Sequence, residues 1–200
     1  MMSQEALSRT VFPLGKLRKP EVRELAAACG LSNAKKKESQ DICFVDQGDY
    51  GAFIEDYTGK VSPAGNITDT QGNILGRHRG LIRYTLGQRR GLGVACNTPV
   101  YVAAKNIAAN TLVIGKESEL YSGSFTARLI NLIACENIFR PLRLKVKTRY
   151  LQKEQWAQVE QTGPDTIQVM FDEPQRAITP GQGVVFYDGD TVVGGGTIAI

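Results

Sequence analysis

The segment from Ser124 to Ile200 constrains the fold more than any other part of the chain. Its apolar residues recur with a period of two, in runs of strand length: "SFTARLINLIA", "LRLKVKTRYLQ", "WAQVEQTG", "DTIQVMFDEP" and "GQGVVFYDGDTVVGGGTIAI". A period of two sends alternate side chains to opposite faces of a strand, so each run has one face to bury and one to leave in water. Tight turns such as "DGD" at Asp188 to Asp190 hold consecutive runs antiparallel. Five or six such strands would expose unpaired edges as an open sheet, and curling into a small closed or nearly closed antiparallel barrel removes them.

The rest of the chain follows other patterns. Residues 1–36 carry a helical signal: Pro20 suits a first helical turn, Val22, Leu25, Ala26 and Cys29 recur at helical spacing, and Gly30 is placed to stop the helix. The pattern predicts a helix from about Pro20 to Cys29, and "SQEAL" offers another half-turn. Two small helices with little core of their own read as the remnant of a larger upstream domain. Between residues 37 and 116, short β-branched and aromatic runs are punctuated by Gly, Asn and Asp, which predicts a small β-rich central domain. In it "LIRYTLGQRRGLGVA" has strand length, "GDYGAFIEDYTG" reads as a helical insertion, and "GKESELYSG" reads as a linker or exposed loop into the barrel at 117–200. The expected class is therefore mainly β, α+β overall.

Composition excludes several functions. No apolar run in the 200 residues approaches the length that crosses a bilayer, and the amino terminus has no signal-peptide h-region, so a cytoplasmic protein without membrane contact is expected. The four cysteines, Cys29, Cys43, Cys96 and Cys135, form no CxxC pair, and His78 is the only histidine, so no metal site is expected. Free thiols are the default for such a chain, and the absence of CxxC disfavours a thiol-disulfide oxidoreductase. The net charge of +4 says little by itself. Its distribution says more: from Thr70 to Lys116 there is no acidic residue among seven Arg and Lys, the one-sided charge of a polyanion-binding surface.

Three stretches carry chemistry. In "PLRLKVKTRYLQ" alternation puts Leu142, Leu144, Val146, Thr148 and Tyr150 on one face and Arg143, Lys145, Lys147 and Arg149 on the other. Same-face residues lie roughly 6.5–7 Å apart, a usable match to phosphates along a nucleic-acid backbone, although a solvated strand face would look the same. "GRHRGLIRYTLGQRRGLG" packs Arg89, Arg90 and other cations among glycines, with Tyr84 available to stack. It is neither a Walker loop nor a dinucleotide fingerprint, and reads as a nucleic-acid-contacting loop or as a turn-rich surface loop. In "KKKESQDICFV" alternation puts Cys43 on a face with Asp41 and Val45, away from Ile42 and Phe44. Neighbouring lysines would lower the thiol pKa and Asp41 would raise it, so the residues alone leave Cys43 either reactive or inert and half-buried. "TPGQG" and "VGGGTI" read by default as turns.

Taken together, "AKKKESQDICFV", "GRHRGLIRYTLGQRRGLG", "VKTRYLQ", "FDEP", "TPGQ" and "GGGTI" occur in the order and spacing of the tRNA-specific 2-thiouridylase family, also known by an older methyltransferase name. The chain resembles that family from "SQEAL" to its carboxyl terminus. The resemblance implies an enzyme that converts wobble uridine of tRNA to 2-thiouridine, using ATP and a cysteine persulfide. It implies three parts: an ATP-pyrophosphatase domain, a central domain, and a β-barrel similar to the second domain of elongation factor Tu. The family's SGGxDS phosphate loop is absent from these residues, so ATP is expected to bind a missing amino-terminal domain, no cofactor is expected here, and the chain alone is expected to be inactive. By the same resemblance Cys43 matches the persulfide-bearing cysteine, with Asp41 where many members have Gly. Arg149, Tyr150 and Gln182 match tRNA-contacting residues, and Arg89, Arg90 and Lys147 are further candidates. The implied partners are tRNA and a sulfur-donor protein. Tyr150 should share the core face of its strand, unless alternation lapses at the strand's end or its ring reaches an edge. The alternative is a non-catalytic RNA-binding module in which Cys43 is structural.

Overall fold

A computed structural model describes residues 2–36, 45 and 49–199. They form two compact units, 2–59 and the chain from Lys60 onward.

The described residues of the first unit include three helices, each started by local chemistry. Helix α1 (Gln4–Ser8) begins where the Ser3 hydroxyl accepts the Ala6 N–H at 3.1 Å. Helix α2 (Lys19–Ala28) has Pro20 in its first turn, and its Glu21 carboxylate reaches back to accept the Arg18 N–H at 2.5 Å. It ends as expected at Cys29 and Gly30, the glycine taking φ +69°. Helix α3 (Tyr50–Thr58) is capped by Asp49 and stopped by Gly59 at φ +65°. No residue of α1 or α2 is buried.

The second unit begins with a four-stranded sheet in the order β2-β1-β4-β3, made of β1 (Gly65–Thr68), β2 (Ile74–His78), β3 (Tyr101–Asn106) and β4 (Thr111–Gly115). The central pair β1 and β4 runs parallel, and the other neighbours run antiparallel. Ile67, Tyr84, Leu92, Val102, Leu112 and Ile114 form its core. The stretch from Leu81 to Ala95 is not the expected strand: one 3-10 turn at Leu81–Arg83 leads into a loop. Gly80, Gly87, Gly91 and Gly93 take positive φ there, and repeated left-handed residues cannot continue a strand. Tyr84 is also not free to stack. It is 5% exposed, its hydroxyl accepts the Arg79 N–H at 3.3 Å, and its ring meets His78 edge-on. His78 is structural: it is 1% exposed, its Nε2 lies 3.0 Å from the Asn110 carbonyl, and its Nδ1 accepts the Gly80 N–H at 3.1 Å. With Nδ1 accepting, Nε2 is the nitrogen whose N–H faces the Asn110 carbonyl.

The expected barrel is present and closed. Strands β5 (Tyr121–Leu132), β6 (Leu142–Lys147), β7 (Gln155–Gly163), β8 (Thr166–Arg176), β9 (Gly183–Asp188) and β10 (Thr191–Ala199) close in the order β10-β5-β8-β7-β6-β9, all pairs antiparallel. Alternate residues fill the interior, among them Ala127, Val146, Val159, Val169 and Phe186. "GKESELYSG" is no loose linker: Glu117–Leu120 makes one 3-10 turn, Leu120 is buried, and β5 starts at the next residue. "VGGGTI" is likewise a strand rather than a turn. A Cβ on Gly194, Gly195 or Gly196 would lie 2.6, 2.5 or 2.9 Å from the carbonyl oxygen of Asn131, Val184 or Arg128. These glycines serve close backbone approach inside β10.

Candidate nucleic-acid interface

Strand β6 carries the cations that alternation predicts on its outer face, but they do not act alike. Arg143 forms an ion pair with Asp172 (2.6 Å) and lies over the Trp156 ring, 4.7 Å from its centre. Lys145 pairs with Glu154 at 3.3 Å and approaches the same ring. A backbone hydrogen bond and Lys145 hold the Glu154 carboxyl below the usual carboxylate range. Half of the phosphate-spaced ladder is therefore neutralised within the barrel wall. The other half has different partners: Lys147 sits 5.7 Å from the Tyr150 ring, and Arg149 reaches the loop that follows β8.

Alternation lapses where β6 ends. Thr148 keeps the inward register and is 4% exposed, whereas Tyr150 and Leu151 are 90% and 91% exposed in the turn beyond. Side chains fix that turn. The Thr148 hydroxyl donates to the Gln152 Oε1 (2.7 Å), the Gln152 amide to the Gln175 Oε1 (2.9 Å), and the Gln175 amide to the Glu173 carbonyl (2.7 Å). Thr148 and Gln175 are buried, so these links pair polar groups that would otherwise lack a partner away from water. Gln152 and Gln175 escape the sequence reading. A polar residue on the inward face, as Thr148 is, was the available signal.

Arg149 joins this turn to the "TPGQ" turn. Its Nη2 donates to the Ala177 carbonyl at 2.7 Å and to the Thr179 hydroxyl at 3.1 Å. Gln182 is exposed at the end of the same turn, its backbone held by bonds from its N–H to Thr179 and from Ile198 to its carbonyl. Arg149, Tyr150 and Gln182 thus come together at one end of the barrel. The pairing of Lys147 with Val185 gives this neighbourhood its register.

Arg176 and Ala177 connect that end to the arginine-rich loop. Arg176 pairs with Glu117 (3.3 Å), lies 5.3 Å from the Tyr101 ring centre, and donates to the Gly87 carbonyl at 3.5 Å. The Ala177 N–H donates to the Leu120 carbonyl at 2.7 Å, with Ala177 at φ +50°. Gly87 has little room beside these residues, since a Cβ on it would lie 3.2 Å from the Ala177 Cβ. Two residues past Gly87 the loop exposes Arg89 and Arg90. Arg176 gave no sequence signal, because its partners lie in three separate segments.

Cys43 lies outside the described residues. Cys29, Cys96 and Cys135 are exposed free thiols. Among the described residues no group of three His, Cys, Asp or Glu could hold a metal ion, and no helix is long and apolar enough to cross a membrane. The 200 residues contain no SGGxDS segment.

Comparisons with known proteins match this arrangement part by part. Residues 1–47 match a tRNA methyl transferase HUP domain, 51–116 a tRNA methyl transferase PRC-barrel domain, and 122–198 an aminomethyltransferase beta-barrel domain. The class is that of tRNA-modifying proteins. The tRNA-specific 2-thiouridylase MnmA of Acetivibrio thermocellus is 49% identical over 197 residues, covering 98% of this chain and 55% of the relative. Its counterparts in Symbiobacterium thermophilum and Clostridioides difficile are 46% and 43% identical, again over 98% of this chain and over 50% and 55% of theirs. The chain belongs to the tRNA-specific 2-thiouridylase family. It spans about half the length of these relatives.

Proposed function

We propose that this chain supplies the tRNA-gripping surface and the persulfide cysteine of a tRNA-uridine 2-sulfurtransferase. One observation carries the RNA part: Arg149, Tyr150 and the Thr179–Gln182 turn meet at one barrel end, tied through Ala177 and Arg176 to the loop bearing Arg89 and Arg90. Fixed cations beside an exposed aromatic ring suit a nucleic-acid backbone and an unstacked base. Lys147, stacked beside Tyr150, adds a cation to the same end.

In this proposal Cys43 receives a sulfane sulfur from a sulfur-donor protein in the cytoplasm, and that sulfur attacks uridine C2 once ATP has adenylated the C2 oxygen; AMP carries the oxygen away, and a second thiol of the full enzyme breaks the S–S bond, leaving a disulfide with Cys43. ATP is bound by a part of the enzyme with the SGGxDS loop, so the 200 residues alone thiolate nothing. Support for Cys43 comes from its position in "SQDICFV" and from family membership. The test is nucleoside mass spectrometry of tRNA from cells whose full-length enzyme carries Cys43→Ser. The expected result is loss of 2-thiouridine with tRNA binding retained, and normal 2-thiouridine would leave only an RNA-binding role.

A further inference from the structure

A cleft of about 790 Å³ lies between the central sheet and the barrel, within the second unit. We infer that it seats one unstacked nucleotide of bound RNA, with Lys105 facing the phosphate and Gln168 reading the base edge. This holds only if the chain binds tRNA as proposed above.

Two sequence motifs far apart in the chain line this one cleft. Leu86 comes from the arginine-rich loop, three residues before Arg89, while Thr179 and Pro180 come from the turn that Arg149 anchors and Gln182 closes. The cleft is thus continuous with both candidate RNA-contacting elements. Its volume falls within the roughly 300–1,000 Å³ of small-ligand sites and exceeds what a single amino-acid side chain needs.

The charged and amide side chains of the lining are few and suit a nucleotide. Lys105 on β3 is the one cation among the lining residues, and burial holds its amine below the usual lysine range, a cost that an incoming anion would relieve. The one lining carboxylate, Glu119, is engaged at its own turn, where it accepts the Lys116 N–H at 2.5 Å. Gln168 accepts the Thr126 hydroxyl at 3.0 Å through Oε1. That bond fixes the amide orientation and leaves the Nε2 hydrogens to offer, the donor pattern that reads a base carbonyl or ring nitrogen. The remaining walls are largely apolar, as an unstacked base requires.

The test uses the 200-residue chain and unfractionated tRNA at low salt. Lysine acetylation read by mass spectrometry is expected to find Lys105 reactive in free protein and protected by tRNA. Lys105→Met and Gln168→Leu are each expected to weaken tRNA binding about tenfold, the scale of one lost base contact. Lys105→Met should also melt no lower than the parent chain, since it removes a half-buried charge, which separates lost binding from lost folding. If Lys105 stays equally reactive under saturating tRNA, or if both variants bind unchanged while Arg149→Ala still weakens binding, the cleft assignment alone is wrong. Protection of Lys105 with unchanged Gln168→Leu affinity means that RNA covers the cleft without entering it, and also overturns the assignment. Salt-independent or undetectable tRNA binding by the parent chain overturns the RNA proposal itself.

Discussion

In the function proposed above, Arg149 holds two roles at once. Its Nη2 is spent on Ala177 and Thr179, leaving the rest of the guanidinium for an RNA phosphate. A lysine at 149 would keep the charge but could not serve two protein acceptors and a phosphate from one planar fork. Arg149→Lys is therefore expected to lose tRNA affinity on the order of tenfold, near the loss for Arg149→Ala, in binding titrations at fixed salt. Full rescue by lysine would mean that charge alone matters. The cationic character of Arg149 was legible from period-two spacing, whereas its anchoring role was not, because Ala177 and Thr179 lie 28 and 30 residues away. Tyr150 shows the complementary limit: alternation assigned it to the core face, and the strand stopped at Lys147 before that assignment applied.

At the scale of an element, β5 and β10 show how the barrel accommodates irregularity. Their register passes from Asn131 opposite Gly195 to Arg128 opposite Thr197, so Leu129 and Ile130 bulge against Gly196. Leu129 takes φ +52° there, uncommon for a branched side chain, and is 64% exposed. The Asp165 carboxylate holds the bulge, accepting the Leu129 and Ile130 N–H groups at 3.1 and 2.6 Å. Glycine at 129 would relieve the left-handed strain and forfeit little burial, so Leu129→Gly is expected to stabilise the barrel by about 1 kcal/mol in chemical denaturation. Destabilisation of that size would show that the leucine side chain contributes packing beyond its exposed surface. The strands were readable from their period. The bulge was not, since it depends on a carboxylate supplied from the β7–β8 turn.

For the whole molecule, the expectation is that the chain from Lys60 onward folds alone, since its sheet, barrel and linking turn form one compact unit. Residues 60–200 should melt in one transition and bind tRNA with a log K that falls linearly with log[salt], and Arg149→Ala should reduce the slope by about one. Separate melting of sheet and barrel would mean that Arg176 and Ala177 do not couple them. The sequence by itself determined the mainly β class, the helical opening, a barrel of five or six strands and the family, because periodicity, caps and ordered motifs are local properties of the chain. Closure of the barrel with six strands came from the structure. Only the tertiary structure decided that the glycine-rich arginine segment is a loop, that half the cationic ladder pairs with carboxylates, and that Arg149, Gln182 and the Arg89–Arg90 loop share one end of the unit. The physical reason is range: whether a cation is free or paired, and which turns adjoin, depends on groups that only closure of the barrel brings within hydrogen-bonding distance.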